Sequence, residues 1–235
     1  MSPRLLLVAF VLAWFAAVIA CAPATLLLSR MPASSGMAVA NVRGTVWNAR
    51  FDDVAVHGLA LGNLRARLSP SELLIGRLRI RITGSRLSGD VMAGRRRGIA
   101  GIQADLVTQP SAALPGIALS IAVRDTTWLH TGGACDDARG DVRVDVRRID
   151  TGAALVTLAG RPRCTRGGAL LELVAVEAGA GALAGLRVAI QPTLDGQLDV
   201  LSTAPVSRDA TAGVMLQAVG FTSNGQRWER RDRLR

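Results

Sequence analysis

Few side chains in this sequence could carry out covalent or metal chemistry. The chain has 235 residues with two histidines and three cysteines, and it contains neither lysine nor tyrosine. Without lysine there is no Schiff-base nucleophile and no phosphate-binding lysine. The carboxylates of Asp52–Asp53 and Asp136–Asp137 are adjacent in sequence, so on strands each pair would point to opposite sheet faces. We therefore predict no catalytic residue and no enzymatic activity.

One glycine-rich segment resembles a dinucleotide-binding loop. Gly179, Gly181 and Gly185 follow an apolar run, and Asp199 lies where a ribose-binding acid could be. Such a loop requires a helix directly after the glycines, because the helix N-terminus binds the pyrophosphate. The residues after Gly185 read as a strand instead. We interpret the glycines as a turn and predict no cofactor.

Two cysteines have the spacing of a structural pair. Cys135 and Cys164 lie 29 positions apart, without a CxxC neighbour. His130 precedes Cys135 by five residues, but one histidine and two cysteines do not complete a tetrahedral metal site. In an exported domain a disulfide is the favoured interpretation, with free thiols or a metal site as the alternatives.

The N-terminal apolar segment predicts a membrane anchor with its ends at Leu5 and Leu28. The first 18 residues from Leu5 contain no charged or strongly polar side chain. As a helix they span roughly 27 Å, close to the ~30 Å hydrocarbon core of a bilayer. Arg4 precedes the segment, which favours a cytoplasmic N-terminus. Two alternatives use the same residues, a lipoprotein with its lipid on Cys21 and a cleaved secretory signal. All three place residues 31–235 outside the cytoplasm.

The remaining sequence alternates apolar and polar residues with a period of two. The segments that show this pattern are Leu64–Leu68, Leu78–Ile82, Ile117–Val123, Val142–Val146, Leu155–Leu158, Leu170–Val176, Leu186–Ile190 and Leu198–Leu201. Glycine-rich breaks separate them, and amphipathic helices do not intervene. The pattern predicts a mainly β fold, with a curved antiparallel sheet after a single transmembrane helix. Short helices are predicted at Ser69–Ile75 and Ser207–Val219.

The net charge of +10 is unevenly distributed along the chain. The tail 222–235 carries five arginines, one glutamate and one aspartate, and we predict that it is disordered. The domain organisation is then an anchor at 1–30, a β-rich domain at 31–221 and this tail. Aromatic residues that could stack on bases are scarce, so we predict no nucleic-acid partner. The arginines on the strands form either a solvated face or a surface for anionic headgroups or acidic partners, and Arg95–Arg97 is expected in an exposed loop.

One pattern of glycines, apolar residues and a proline runs through residues 44–89. Its matching positions are Gly44, Trp47, Gly62, Pro70, Leu73, Leu74 and Gly76. These residues resemble the type II secretion system protein N family, whose members often carry a mid-domain cysteine pair such as Cys135 and Cys164. Ala49 and Arg65 depart from the family pattern, and the tail has no counterpart in it. We expect Trp47 to be a buried anchor where the first strand meets the sheet.

The resemblance implies an accessory inner-membrane component of the type II secretion system. Such a protein would support export of folded periplasmic proteins across the outer membrane by protein–protein contacts. It would be a single-pass protein of the bacterial inner membrane with its main domain in the periplasm. Its partners would be other envelope components of the system, without a nucleic acid or a small-molecule substrate. The alternative is an AsmA-like envelope protein involved in lipid handling, although about 190 residues would form only a short groove.

Overall fold

The computed structural model describes most of the chain from residue 37 onward. The described residues are 7, 10, 14, 17, 21–25, 37–56, 59–108, 116–166, 168–178, 184–192, 197–206, 213–214, 216–217 and 220–234. Within them one helix, α1 (Pro70–Leu74), has defined bounds. The strands are β1 (Met37–Ala38), β2 (Asn41–Thr45), β3 (Asn48–Val56), β4 (Leu59–Leu68), β5 (Arg77–Gly84), β6 (Leu87–Gly94), β7 (Arg96–Val107), β8 (Ile117–Thr131), β9 (Ala134–Arg148), β10 (Ala154–Thr165), β11 (Gly168–Ala178), β12 (Arg187–Pro192), β13 (Leu198–Pro205), β14 (Thr222–Ser223) and β15 (Arg227–Leu234).

All fifteen strands belong to one antiparallel sheet. From β3 to β13 each strand pairs with its neighbour in sequence, and β15 and then β14 follow β13. At the other edge, β1 and β2 both pair with β3. Such an order needs only short connections, which the glycine-rich breaks provide. The predicted antiparallel, mainly β fold is confirmed, and each predicted strand segment lies within or overlaps an observed strand.

The sheet has an apolar face and a polar face. Leu119 of β8, Val146 of β9 and Val156 of β10 are paired neighbours on the apolar face. Ser120 and Asp145 are paired one residue along, on the polar face. The larger core cluster lies on the apolar face and consists of Val142, Val156, Leu158, Leu171 and Leu173. This period-two division follows directly from the sequence alternation.

Bulges curve the sheet so that the apolar face is on the inside. Asp53 in β3 and Asp125 in β8 have positive φ angles of 51° and 45°, at positions where the pairing register shifts. Bulges of this kind bend a strand and increase its twist. Leu59 of β4 forms a bridge with Thr108, which directly follows β7. In a flat sheet, strands three positions apart would be separated by about 14 Å, so this bridge requires curvature.

The residues that precede β2 attach to the edge of the sheet. The Ala24 amide donates to the Gly44 carbonyl at 3.0 Å, and the Val46 amide donates to the Ala22 carbonyl at 3.0 Å. Ala24 is 1% exposed. This contact defines what we call the proximal end of the sheet, where the connections β2–β3, β4–β5, β6–β7 and β8–β9 lie.

The predicted membrane anchor falls mostly outside the described residues, as do its ends Leu5 and Leu28. Leu7, Phe10, Trp14 and Ala17 are helical, and the first three are 67%, 71% and 56% exposed. Within the part of the chain that the structure describes, none of the helices combines the length and the hydropathy that a bilayer span requires. The transmembrane anchor therefore stays a prediction.

Helix α1 confirms the first predicted helix. Pro70 occupies its first turn, where the missing amide proton costs no helical hydrogen bond. The chain leaves α1 through Gly76, whose φ of +71° suits a residue without a Cβ atom. Of the second predicted helix, residues 213, 214, 216 and 217 are helical, and the rest lies outside the described residues.

The prediction of a disordered tail is wrong. Residues 227–234 form β15, which pairs with β13 from Leu198 opposite Leu234 to Pro205 opposite Arg227. Arg233 forms an ion pair with Asp199 at 2.8 Å, which offsets part of the arginine charge. A Cβ atom added to Gly213, which is helical, would lie 3.2 Å from the Trp228 ring, so this indole packs against Gly213. Composition alone could not show these tertiary partners.

The prediction that Arg95–Arg97 lie in an exposed loop is also corrected. Arg95 alone forms the tight connection, whereas Arg96 and Arg97 are the first residues of β7. Both are exposed, as expected, but they pair with Thr131 and His130 of β8.

Candidate functional site

A groove lies on the apolar face near the proximal end, with a volume of about 1000 Å³. Trp128 and His130 of β8, Cys135 of β9, Pro192 of β12 and Leu198 of β13 line it. Because the apolar face is inside the curve, these strands contribute to one concave surface. Its lining combines aromatic, aliphatic and disulfide atoms with a few polar groups, which is the composition typical of a binding surface.

Two polar atoms in the groove are buried without a hydrogen-bond partner among the described residues. They are the indole Nε1 of Trp128 and the Nδ1 of His130. Buried polar atoms in proteins are nearly always hydrogen-bonded, so an unsatisfied one indicates a site for a partner or water. The indole N–H can donate to a carbonyl oxygen. The groove is therefore suited to hold a segment that brings both apolar atoms and hydrogen-bonding groups.

The predicted disulfide borders this groove and is confirmed. The Sγ atoms of Cys135 and Cys164 are 2.04 Å apart, and their Cα atoms are 5.4 Å apart. The pairing between β9 and β10 ends at Val142 opposite Gly160, before either strand reaches its cysteine. The disulfide thus joins the two strands where they have no further backbone pairing. Cys21 is free and exposed.

The polar face in the second half of the sheet carries charges that compensate each other. Asp105, Arg124, Asp141, Arg161 and Glu172 follow one another across five neighbouring strands. Arg161 contacts Asp141 at 2.6 Å, and Arg124 contacts Asp105 at 3.5 Å. Exposed ion pairs contribute only about 0–1 kcal/mol each. This part of the polar face fits the interpretation of a solvated surface.

The polar face in the first half differs, because arginines lie opposite arginines. Arg50 of β3 pairs in register with Arg65 of β4, and Arg67 of β4 pairs with Arg81 of β5. Arg50, Arg65 and Arg67, which we call the arginine cluster, are exposed and have no carboxylate partner among the described residues. Like charges directly opposite each other on a sheet are destabilising. This surface therefore carries an excess of positive charge.

Three carboxylates lie near this cluster. Asp52 lines a depression together with Arg50 and Arg65, Glu72 lines one together with Arg67, and the charge of Asp90 is already neutralised. Arg79 contacts its carboxylate at 2.5 Å and Arg81 at 3.1 Å. Burial acts to raise the pKa of Asp90, but the two arginine hydrogen bonds outweigh it and hold the pKa below its ordinary value of 3.8. A depressed carboxyl pKa stabilises the fold at neutral pH, and this contribution is lost as the pH falls through the folded-state pKa.

The comparison with protein families decides which proteins this chain is related to. The model of the family "Type II secretion system (T2SS), protein N" matches residues 35–228, which is most of the chain. The chain belongs to this family. A search of the curated proteins and a search of the solved structures found no match. The match covers every described strand up to the beginning of β15, so the sheet described above is the family's domain.

The protein N motif positions are located at the proximal end and in the first two hairpins. A Cβ atom at Gly44 would lie 2.3 Å from the Asn48 carbonyl oxygen, so only glycine fits this turn between β2 and β3. Gly62 has a φ of +74° and faces the bulge in β3. Pro70, Leu73 and Leu74 belong to α1, and Gly76 follows it. Most of these positions shape the backbone.

Trp47 differs from the expectation of a buried anchor. It lies in the turn between β2 and β3 and is only half-buried. Its carbonyl accepts the Leu68 amide at 3.1 Å, which joins this turn to the end of β4.

Trp47→Ala should therefore cost less than a truncation in the core. We expect a loss of about 2 kcal/mol in the free energy of unfolding, against roughly 2–5 kcal/mol for the matched core variant Leu173→Ala, whose side chain is 3% exposed. Chemical denaturation of both variants measures the difference. A larger loss for Trp47→Ala than for Leu173→Ala would contradict the half-buried position.

The groove and the arginine cluster are the features that the sequence interpretation missed. The sequence indicates His130 only as part of an incomplete metal site, and its scarce aromatic residues do not point to Trp128 as part of a groove. The bulge at Asp125 changes the register of β8, and only the folded strand shows that Trp128 then faces inward. The arginines were visible as stripes, but their opposition across strands depends on the pairing register.

Proposed function

We propose that this chain is an accessory inner-membrane component of the type II secretion system that supports export of folded periplasmic proteins by protein–protein contacts. The family match over residues 35–228 carries this proposal. It also favours this function over the alternative of an AsmA-like protein that handles lipids.

Membrane attachment would come from the N-terminal segment. Leu7, Phe10 and Trp14 are helical, apolar and more than half exposed, which is unfavourable in water. The chain that follows is held on the sheet edge by Ala22 and Ala24. We infer that the main domain lies in the periplasm, since the Cys135–Cys164 disulfide suits an oxidising compartment.

The groove is the surface that we expect to contact another component of the system. It offers Trp128 and Leu198 as apolar contacts, and the exposed fraction of Leu198 is 37%. Buried aromatic residues with a polar atom often dominate binding energy at interfaces. Function would then depend on surface complementarity and tethering rather than on a reactive group.

Untethering is the experiment that tests this function. A chain in which residues 1–20 are replaced by a cleavable signal keeps the contact between residues 22–24 and β2 intact. We expect type II substrates to accumulate in the periplasm, because the free domain loses the local concentration that a membrane tether provides.

The control joins residues 21–235 to an unrelated single-span anchor, which should restore export. Single alanine variants at Asp52 and Asp136, which do not line the groove, should leave export nearly unchanged if no side-chain chemistry is involved. Full export by the untethered domain, or a block by either alanine variant at normal protein level, would overturn the proposed function.

A further inference from the structure

The proximal end carries an exposed apolar tip next to the point where the N-terminal segment joins the sheet. Ile75, which follows α1, is 63% exposed, and Leu73 within α1 is 38% exposed. The Leu68 amide that precedes α1 donates to the Trp47 carbonyl, and the adjacent Val46 donates to Ala22. These contacts place α1 at the same end of the sheet as residues 22–24.

Basic side chains that form no ion pair among the described residues surround this tip, together with Glu72 of α1. Arg67 precedes α1 and Arg77 follows it, and both are exposed. Along β4, Arg67 lies about 3 Å and Arg65 about 10 Å from the last residue of the strand. In the adjacent connection, Arg95 is exposed as well. None of these arginines has an ion pair among the described residues, whereas those on the second half of the polar face do.

The arginine cluster is unfavourable for the isolated domain. Arg50 faces Arg65 and Arg67 faces Arg81 across neighbouring strands, where like charges repel. Elsewhere on this face the corresponding positions pair opposite charges, as in Arg124 opposite Asp141. An anionic surface in contact with the cluster would remove this repulsion, and apolar atoms at the tip would enter its less polar layer.

We propose that the proximal end docks on an anionic phospholipid bilayer, with Leu73 and Ile75 inserted at headgroup depth and the arginine cluster bound to lipid phosphates. This inference rests on the membrane attachment in the proposed function and adds a second, orienting contact to it. A membrane fits this surface better than a protein partner because the apolar tip, the arginines and the end of the apolar N-terminal segment lie at one end. The strands then extend away from the membrane.

The test uses the full chain in lipid nanodiscs with an environment-sensitive fluorophore at Ile75→Cys. The background is Cys21→Ala, so that the single reactive thiol is the introduced one while the disulfide stays oxidised. Ile149→Cys provides the matched control, because Ile149 is also apolar and exposed (44%) but lies in the β9–β10 connection at the opposite end. Nanodiscs of phosphatidylcholine are compared with nanodiscs that also contain phosphatidylglycerol.

We expect the Ile75 probe to shift to shorter wavelength and to be quenched by nitroxide-labelled lipids in the discs with phosphatidylglycerol. The Ile149 probe should keep the emission of a probe in water. Arg65→Gln with Arg67→Gln should abolish most of the shift. Arg124→Gln with Arg161→Gln removes the same charge from compensated positions and should leave the shift unchanged.

Several outcomes would overturn the inference. The first is water-like emission from the Ile75 probe although the chain co-elutes with the discs. The second is an equal emission shift of this probe in discs without phosphatidylglycerol. The third is an emission shift that occurs only when other secretion components are added. The last outcome would identify the surface as a protein contact. Failure of the chain to co-elute with either disc would refute membrane attachment itself, whereas the export assay reports on secretion independently of the probe.

Discussion

Gly98→Ala should destabilise the domain by more than about 3 kcal/mol, because it combines backbone strain with a steric clash. Gly98 has a φ of +137°, and a Cβ atom there would lie 1.9 Å from the Trp128 carbonyl oxygen. The oxygen belongs to the backbone of β8, so it cannot move away without breaking the pairing of β7 with β8. Since Trp128 also lines the groove, the groove should lose its shape with the fold.

Gly168→Ala is the matched control for the clash. Gly168 has a φ of +115°, but no atom lies within 4 Å of the position of an added Cβ. This variant should show only the conformational strain, about 1–3 kcal/mol. Denaturant unfolding followed by tryptophan fluorescence compares both variants with the parent. Equal losses for the two glycines would show that the approach of β7 to β8 is not as close as described.

Loss of the disulfide is the second large effect. Replacing Cys135 and Cys164 by serine together should lower the free energy of unfolding by roughly 3–4 kcal/mol, because the crosslink restricts the unfolded chain. The two residues are 29 positions apart. The native state is affected as well, since β9 and β10 have no backbone pairs beyond Val142 and Gly160. Their ends should separate and widen the groove.

Cys21→Ser serves as the control, because Cys21 is free and exposed and should not contribute to stability. Denaturation midpoints with and without reductant provide a second measurement. The parent should unfold at lower denaturant concentration after reduction, whereas the double serine variant should not respond. An unchanged parent midpoint would mean that the disulfide does not stabilise the domain.

Local patterns in the sequence determined the strands, the sheet face of the side chains within each alternating segment, helix α1 and the cysteine pair. Alternation with period two depends only on neighbouring residues, so Val142–Val146 and Leu198–Leu201 could be assigned without knowledge of their partners. The proline and glycine that bound α1 act through their own backbone angles. The family motif belongs to the same class, because Gly44 and Gly76 are required by the turns in which they lie.

The tertiary structure alone decided which strands and charges meet. The tail appeared too charged to fold, but β13 supplies a full set of backbone partners and Asp199 compensates Arg233. Trp47 was expected to be a buried anchor, but it lies in the turn between β2 and β3 and is only half-buried. The groove depends on the bulge at Asp125 and on the curvature of the sheet. The register between strands decides which side chain lies opposite each arginine. Arg161 therefore faces a carboxylate, whereas Arg50 faces another arginine. Strand pairing joins residues that are distant in sequence, so no single segment specifies the register.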